Sequence, residues 1–276
     1  MTNAAMTLAN ATRTFGLEVE MLSPIGSHEL AQRLRDAGID CWPENYNHIT
    51  RDHWKLVTDS SIRTTYATRN FYPVELVSPP LSGNAGLEEV TIAMNIIEEL
   101  GCTVNKSCGV HVHHHAADLN LNDFKALVYN YSKAELALDE VIPPSRRQDM
   151  NIYCQSIRNL LRFNEDKLEN ANSLNDIIQR FFNGDRYYKL NLTSYSKYST
   201  VEFRHHSGSV EAAKITNWIV FTQLLVEYSK GRRARNGADL SMGTLLSWMK
   251  ADKNFDQDTI KSLRKYYRNR KKELAS

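Results

Sequence analysis

The sequence has few cysteines, no long apolar run and no signal for export. Its four cysteines are scattered without a CxxC pair, and four such cysteines in 276 residues do not make a disulfide framework. Nowhere do about 18 apolar residues run together, and residues 1–16 lack a charged start followed by an apolar core. We therefore expect a cytoplasmic protein with reduced thiols and no membrane partner.

Two glycine-rich phosphate-binding loops are also absent from the sequence. Neither GxxxxGK[ST] nor GxGxxG occurs, so nucleotide phosphates would have to be held through metal ions and arginines. Each candidate arginine could equally be an ordinary solvent-exposed residue. The candidates are Arg146, Arg147, Arg186 and Arg204.

The charge of the chain is nearly balanced, with a net charge of +2 that gives no strong argument for nucleic acid or acidic membranes. Basic residues gather late, at 231–235 (GRRAR) and 264–272 (RKYYRNRKK). Such a run is usually the solvated face of a helix. The alternative is a nucleic-acid-binding protein that uses the second run with Tyr266 and Tyr267, and its signature would be strongly salt-dependent binding.

Strand and helix patterns alternate up to about residue 208, and only helical patterns follow. Strand-like segments are 12–22, 53–58, 71–78, 109–114, 187–192 and 199–205. Apolar residues at spacings of three and four predict helices over 27–38, 86–101, 121–141, 209–230, 240–250 and 256–272. The pattern indicates an α+β or α/β fold with one catalytic domain (1–229) and a basic helical C-terminal appendage (230–276). A flexible joint is expected at 230–239.

Four of the nine histidines lie in CGVHVHHH, residues 108–115. On a strand, His111 and His113 would point to one face, and His114 and His115 would mark the exposed end. A zinc site that includes Cys108 is one alternative, and Cys108 as a nucleophile with His111 as its base is another.

Acidic residues recur on the same face of other predicted strands. FGLEVEML places Glu18 and Glu20 two positions apart, FYPVELVSPP carries Glu75, and STVEFRHHSG carries Glu202 and Arg204. Each could be an ordinary polar strand face or a local ion pair. A single sheet would instead gather a cup of Glu18, Glu20, Glu75, His111, His113 and Glu202. Oxygen-rich ligands with few imidazoles suit Mg²⁺ or Mn²⁺ better than Zn²⁺.

Eight motifs between about residues 13 and 225 resemble, in order, those of the amidoligase family, a branch of the glutamine synthetase-like carboxylate–amine ligases. They are FGLEVE, HWKLVTDSSI, VELVSPPL, VNKSCGVHVH, PPSRR, RYYKLNL, TVEFRHHSG and KITNWI. The resemblance implies an ATP-dependent ligase whose antiparallel sheet forms a metal-lined funnel. It also implies Mg²⁺ ligation by Glu18, Glu20, Glu75, His111 or His113, and Glu202, and phosphate contact by Arg204.

The mechanism that this resemblance implies is activation of a carboxylate by ATP to an acyl phosphate, followed by attack of an amine. Asp59 and Ser61 are placed where the amine would bind, although a turn explains them equally well. The Arg146/Arg147 pair fits a nucleotide or a substrate role. Partners would be small-molecule or peptide acids and amines, or a macromolecular acceptor such as a cell-wall fragment or modified nucleic acid. The rival enzyme is a two-metal phosphatase or nuclease.

Overall fold

The computed structural model describes residues 6–234 and 239–275. Its strands are β1 (Phe15–Ser23), β2 (Cys41–Pro43), β3 (Trp54–Val57), β4 (Tyr72–Val77), β5 (Gly109–His115), β6 (Leu190–Asn191) and β7 (Thr200–Ser207). Its α-helices are α1 (Ser27–Asp36), α2 (Gly83–Glu99), α3 (Leu121–Asp139), α4 (Ile157–Glu169), α5 (Leu174–Asp176), α6 (Tyr195–Tyr198), α7 (Ala212–Ser229), α8 (Met242–Ala251) and α9 (Gln257–Glu273). A 3₁₀ turn at Pro144–Arg146 and a π-helix at Ile177–Phe181 complete the elements. Residues 235–238 of the predicted joint lie outside the described residues.

The strands form one sheet in the order β2-β3-β4-β1-β5-β7-β6, which confirms an α+β fold. The pairs β1–β4, β3–β4 and β6–β7 are antiparallel. The expectation of an antiparallel sheet is wrong at β2–β3, which is a parallel pair. Residues 44–53 carry the chain back between these two strands, so both run in the same direction. The funnel stays a prediction.

The chain divides into two compact units that are discontinuous in sequence. The strand-rich unit comprises Ala11–His113 and His206–Ile219, and the helix-rich unit comprises Met1–Asn10, His114–His205 and Val220–Ser276. The predicted domain boundary between residues 229 and 230 stays a prediction. No helix in the described ranges combines the length and the apolar character needed to cross a bilayer.

The apolar side of β1 forms the core of the strand-rich unit. Phe15, Leu17, Val19 and Met21 alternate along the strand and are almost fully buried. Helix α2 packs closely here, because a Cβ at Gly86 would lie 3.3 Å from the Phe15 ring. This packing leaves the opposite side of β1 for its two glutamates.

A buried charge network lies in the helix-rich unit. Lys189 Nζ donates to Glu135 Oε1 and Asp139 Oδ1 of α3, each at 2.9 Å. His205 Nε2 on β7 lies 2.8 Å from the same Asp139 oxygen, and its Nδ1 lies 2.8 Å from the hydroxyl oxygen of Tyr131. Lys189 and His205 have no solvent-exposed surface. The network therefore ties β7 to α3 through paired charges.

Asp139 is ionised because of these partners. Burial by itself raises its pKa, but the hydrogen bond and charge of His205 and the ammonium of Lys189 outweigh burial and lower it to about 2. The group's ordinary pKa is 3.8, so this contribution to stability is complete above that value and is lost as the pH falls toward about 2.

Replacing Asp139 with Asn should lower the free energy of unfolding at pH 7 by about 3 kcal/mol, because it removes a buried carboxylate that both Lys189 and His205 contact. Urea denaturation would measure this change, and the difference from the wild type should narrow as the pH falls from about 4 toward 2. Asp239→Asn is the control, since its pair with Arg158 is partly exposed and should contribute less than about 1 kcal/mol. Equal losses in both variants would contradict this account.

Candidate active site

In the strand-rich unit, one face of the sheet carries the predicted acidic residues. In the register of β1 and β4, Glu20 lies opposite Glu75 and Glu18 lies opposite Val77. On the other side of β4, Lys55 of β3 also lies opposite Val77. Because paired residues share a face and alternate residues share it too, Glu18, Glu20, Glu75 and Lys55 project to the same side.

The acids on this face form two clusters with a shared member. Donor atoms of Glu18, Glu75 and His111 lie within 4.8 Å of one another, and so do those of Glu20, Asp59 and Glu75. Glu20 and Glu75 are buried, whereas Glu18 retains partial exposure. Glu75 therefore belongs to two adjacent groups of donors that could hold a metal ion.

Histidines from β5 contact the acids of β1. His111 Nδ1 lies 3.2 Å from Glu18 Oε2, and His113 Nε2 lies 3.4 Å from Glu18 Oε1. The Gly109 N–H donates to Glu20 Oε2 at 2.6 Å. Burial raises the pKa of Glu18, but hydrogen bonds and charge from His111 and His113 outweigh it and hold the pKa well below its usual range. The site therefore presents ionised carboxylate.

The donor set fits a hard divalent cation. Carboxylate oxygens dominate, with imidazole as the minority ligand, which is the preference of Mg²⁺ and Mn²⁺ rather than of Zn²⁺. Neither of these clusters contains Cys108. Cys108 packs instead against Leu22 and Ile62. Gly208 also lies close to it, because a Cβ added at Gly208 would be 2.6 Å from the Cβ of Cys108. Its environment is that of a small packing residue.

Lys55 also lies on this face, although the sequence patterns did not predict it. Its ammonium donates to Asn47 O (3.2 Å), Asn47 Oδ1 (2.9 Å) and Ile49 O (2.8 Å). All three N–H donors of the ammonium are thus directed at the 44–53 loop. Burial lowers the pKa of Lys55, while Glu44, Glu18 and Glu75 oppose that shift. The signal in the sequence was a single lysine among the apolar residues of WKLV.

Replacing Lys55 with Met keeps most of the side-chain volume but removes three hydrogen bonds to the loop. We expect chymotrypsin to cut after the exposed Tyr46 about tenfold faster, because losing bonds to a charged donor costs about 1.5 kcal/mol or more. Mass spectrometry of the fragments would measure the rate. Lys106→Met, at an exposed lysine of the same unit, should leave it unchanged. Unaltered cleavage after Tyr46 in Lys55→Met would show that Lys55 does not hold the loop.

Glu202 and Arg204 lie on β7, in residues that belong to the helix-rich unit. Arg204 Nη1 lies 2.5 Å from Glu202 Oε1, and Asn191 Nδ2 donates to Glu202 Oε2 at 2.6 Å. Arg204 Nε also donates to Tyr153 O at 3.4 Å. The local ion pair that the sequence allowed is therefore present. Convergence of Glu202 on the clusters of the other unit stays a prediction.

The other candidate arginines differ in their surroundings. Arg146 is buried and its Nη1 donates to Arg204 O at 3.2 Å, which places it beside Arg204. Arg147 Nε donates to Ile142 O at 2.9 Å and so closes its own loop. Arg186 is exposed, with its guanidinium 5.1 Å from the centre of the Tyr187 ring. Their nucleotide or substrate roles stay predictions.

The surroundings of His114 and Asp59 differ from those expected from the sequence. The prediction that His114 marks an exposed strand end is wrong: it is fully buried, with Nε2 2.8 Å from Thr222 Oγ1 on α7, whereas His115 is exposed. Asp59 forms the turn that the sequence allowed, accepting from the Ser61 N–H at 2.6 Å. It also joins Glu20 and Glu75 in the second cluster.

Changing Glu75 to Gln should weaken metal binding at both clusters, because it removes a charge that they share. We expect the apparent affinity for Mn²⁺ to fall by about tenfold or more, with fewer ions bound per chain than in Glu20→Gln, which alters one cluster. Electron paramagnetic resonance of free Mn²⁺ would count the bound ions. Glu29→Gln, on the exposed surface of α1, is the control. A folded Glu75→Gln variant with wild-type Mn²⁺ affinity would identify the acids as structural.

Comparison with known proteins identifies the family of the chain. The profile of the family described as "Putative amidoligase enzyme" matches residues 11–226, and the chain belongs to this family. The resemblance drawn from the eight sequence motifs is thereby confirmed. Among solved structures, the chain is similar to one described as a novel glutamine synthase homolog. The two are 14% identical, the match covers 98% of this chain and 67% of that one, and the TM-score is 0.41. No match is found among curated proteins.

Proposed function

We propose that the protein is an ATP-dependent carboxylate–amine ligase that works through an acyl phosphate. The observation that carries the proposal is the pair of carboxylate clusters joined by Glu75 in a chain of the amidoligase family. Two adjacent groups of oxygen donors are what a site needs to hold the cations that accompany a nucleotide triphosphate.

Glu18, Glu20, Glu75 and His111 are the residues that would hold Mg²⁺ or Mn²⁺, with Asp59, His113 and Glu202 as the further candidates. Such cations, when bound, would neutralise negative charge on the phosphates of the nucleotide. The chain itself supplies fixed positions for these donors. His111 and His113 hold the Glu18 carboxylate, and the Gly109 N–H holds Glu20, so little reorganisation is needed when a cation binds.

Arg204 is the residue that contacts the transferring phosphoryl group. Its guanidinium is held by Glu202 and by Tyr153 O, and it supplies a planar cation able to make two parallel hydrogen bonds to phosphate oxygens. Arg146 supports Arg204 through its main-chain carbonyl and adds a second buried positive charge. Arg147 and Arg186 are further nucleotide or substrate contacts.

The reaction proceeds in two steps. A carboxylate oxygen of the acid attacks the γ-phosphorus of ATP, the bond between that phosphorus and the β–γ bridging oxygen breaks, and ADP leaves. The amine then attacks the acyl carbon, the carbon–oxygen bond to phosphate breaks, and inorganic phosphate leaves with the amide formed. Asp59 binds the incoming amine and accepts its proton, because a carboxylate is both a counter-charge for an ammonium and a base.

Hydroxylamine offered in place of the amine, together with Mg²⁺-ATP and a pool of carboxylic acids, should give a hydroxamate in step with ADP. Arg204→Ala should lower both products by about 100-fold or more, since it removes a charge that stabilises the transferring phosphoryl group. Chromatography of the nucleotides and mass spectrometry of the hydroxamate would measure them.

The control for this experiment is Arg162→Ala, which removes an exposed arginine of α4. It should leave both products at wild-type levels. Release of AMP and pyrophosphate would show adenylation instead of an acyl phosphate. Amide or phosphate-ester hydrolysis without nucleotide would support the rival hydrolase.

A further inference from the structure

The last helix of the chain is held by its apolar face. Ile260, Leu263 and Tyr267 of α9 are buried, and α9 packs against α8. The Tyr267 ring also contacts Phe221 of α7, with centroids 5.4 Å apart. The helix is therefore a fixed part of the helix-rich unit, with one side covered and the other available to solvent.

The available side of α9 carries a continuous row of cations. Lys261, Lys265, Arg268 and Lys272 are all exposed and follow one another at spacings of four, three and four residues. Such spacings place them on one face over about 16 Å. We call these four residues the basic stripe.

Four other cations at this end of the chain each pair with an acid. Arg232 pairs with Asp252 and Arg233 pairs with Glu169, so the GRRAR run is largely neutralised where it is described. Arg270 pairs with Glu273 and Lys271 with Glu140. Within residues 6–234 and 239–275, by contrast, no stripe residue forms an ion pair.

The four cations of the basic stripe do not stabilise helix α9. Lys261 and Lys265 are four residues apart, as are Arg268 and Lys272, and like charges at this spacing repel across the helix surface. The fold keeps seven cations and two acids on α9 while the whole chain has a net charge of only +2. Positive charge is thus concentrated on one face of one helix.

We infer that the basic stripe binds the phosphate backbone of nucleic acid without preference for its sequence. A duplex carries about one phosphate per 1.7 Å of its axis, so a 16 Å stripe meets a dense row of negative charge. This function is separate from amide ligation and does not rest on it.

Nucleic acid fits this surface better than a membrane does. Interfacial helices insert an apolar face among lipid tails, but the apolar face of α9 is already covered by its own unit. The large hydrophobic side chains exposed elsewhere on the described chain do not include any on α9. The exposed side of α9 is positively charged and lacks large exposed hydrophobic side chains, so it is complementary to a phosphate backbone.

The test is fluorescence anisotropy of labelled duplex and single-stranded 20-nucleotide probes with the full chain over about 50–300 mM salt. Four phosphate contacts predict a slope of log affinity against log salt of about −3 to −4 for the duplex and about −3 for the single strand. The variant Lys261→Gln/Lys265→Gln/Arg268→Gln/Lys272→Gln should lose at least about tenfold in affinity at the lowest salt and most of the slope. Its melting temperature should equal or exceed that of the wild type, because repulsion along α9 is removed.

The matched control removes the same number of exposed cations from other parts of the helix-rich unit, by Arg162→Gln, Lys167→Gln, Lys250→Gln and Lys253→Gln. It should bind both probes like the wild type. Absence of binding by the wild type at 50 mM salt, or an equal loss in the control, would overturn the inference. So would stripe-dependent binding to vesicles of anionic lipid without binding to either probe.

Discussion

The structure depends on keeping several carboxylates on one face of a sheet. Glu18 and Glu20 on β1 and Glu75 on β4 would repel at these distances unless positive charge or hydrogen-bond donors stood among them. The pairing of Glu20 with Glu75 cannot be relaxed by a small shift, because moving a strand by one residue would turn its glutamates into the apolar core. The apolar core on one side of the sheet therefore determines which side the glutamates occupy.

Groups on β5 supply hydrogen bonds and positive charge to these carboxylates. His111 and His113 approach Glu18, and the Gly109 N–H meets Glu20. The lysine on the same face is committed elsewhere, because the ammonium of Lys55 is directed at the carbonyl groups of the 44–53 loop. Oxygen donors gathered on one face are the ligands that a hard divalent cation prefers, and this preference supports the proposed metal site.

Local periodicity was enough to predict the shared faces of β1, β4 and β5 and the helices α1, α2, α3, α7, α8 and α9. It could not predict β2, whose three residues are too few to show alternation, or the mainly polar α4. The burial of His114 depends on Thr222, 108 residues away, and the network of Lys189 depends on acids at least 50 residues away. Such partners are set by tertiary packing, which a single strand pattern does not contain.

The interior of the helix-rich unit and the exposed surface of α9 accommodate charge in opposite ways. In the helix-rich interior, Asp139 accepts from Lys189 and contacts His205, because an unpaired charge there would cost more than folding can offset. On α9 the exposed cations are solvated and need no partner for the fold to be stable. Unpaired charge is therefore tolerated at the solvated surface of α9, and that is where a polyanion could gain most from it, since released counterions add to the attraction.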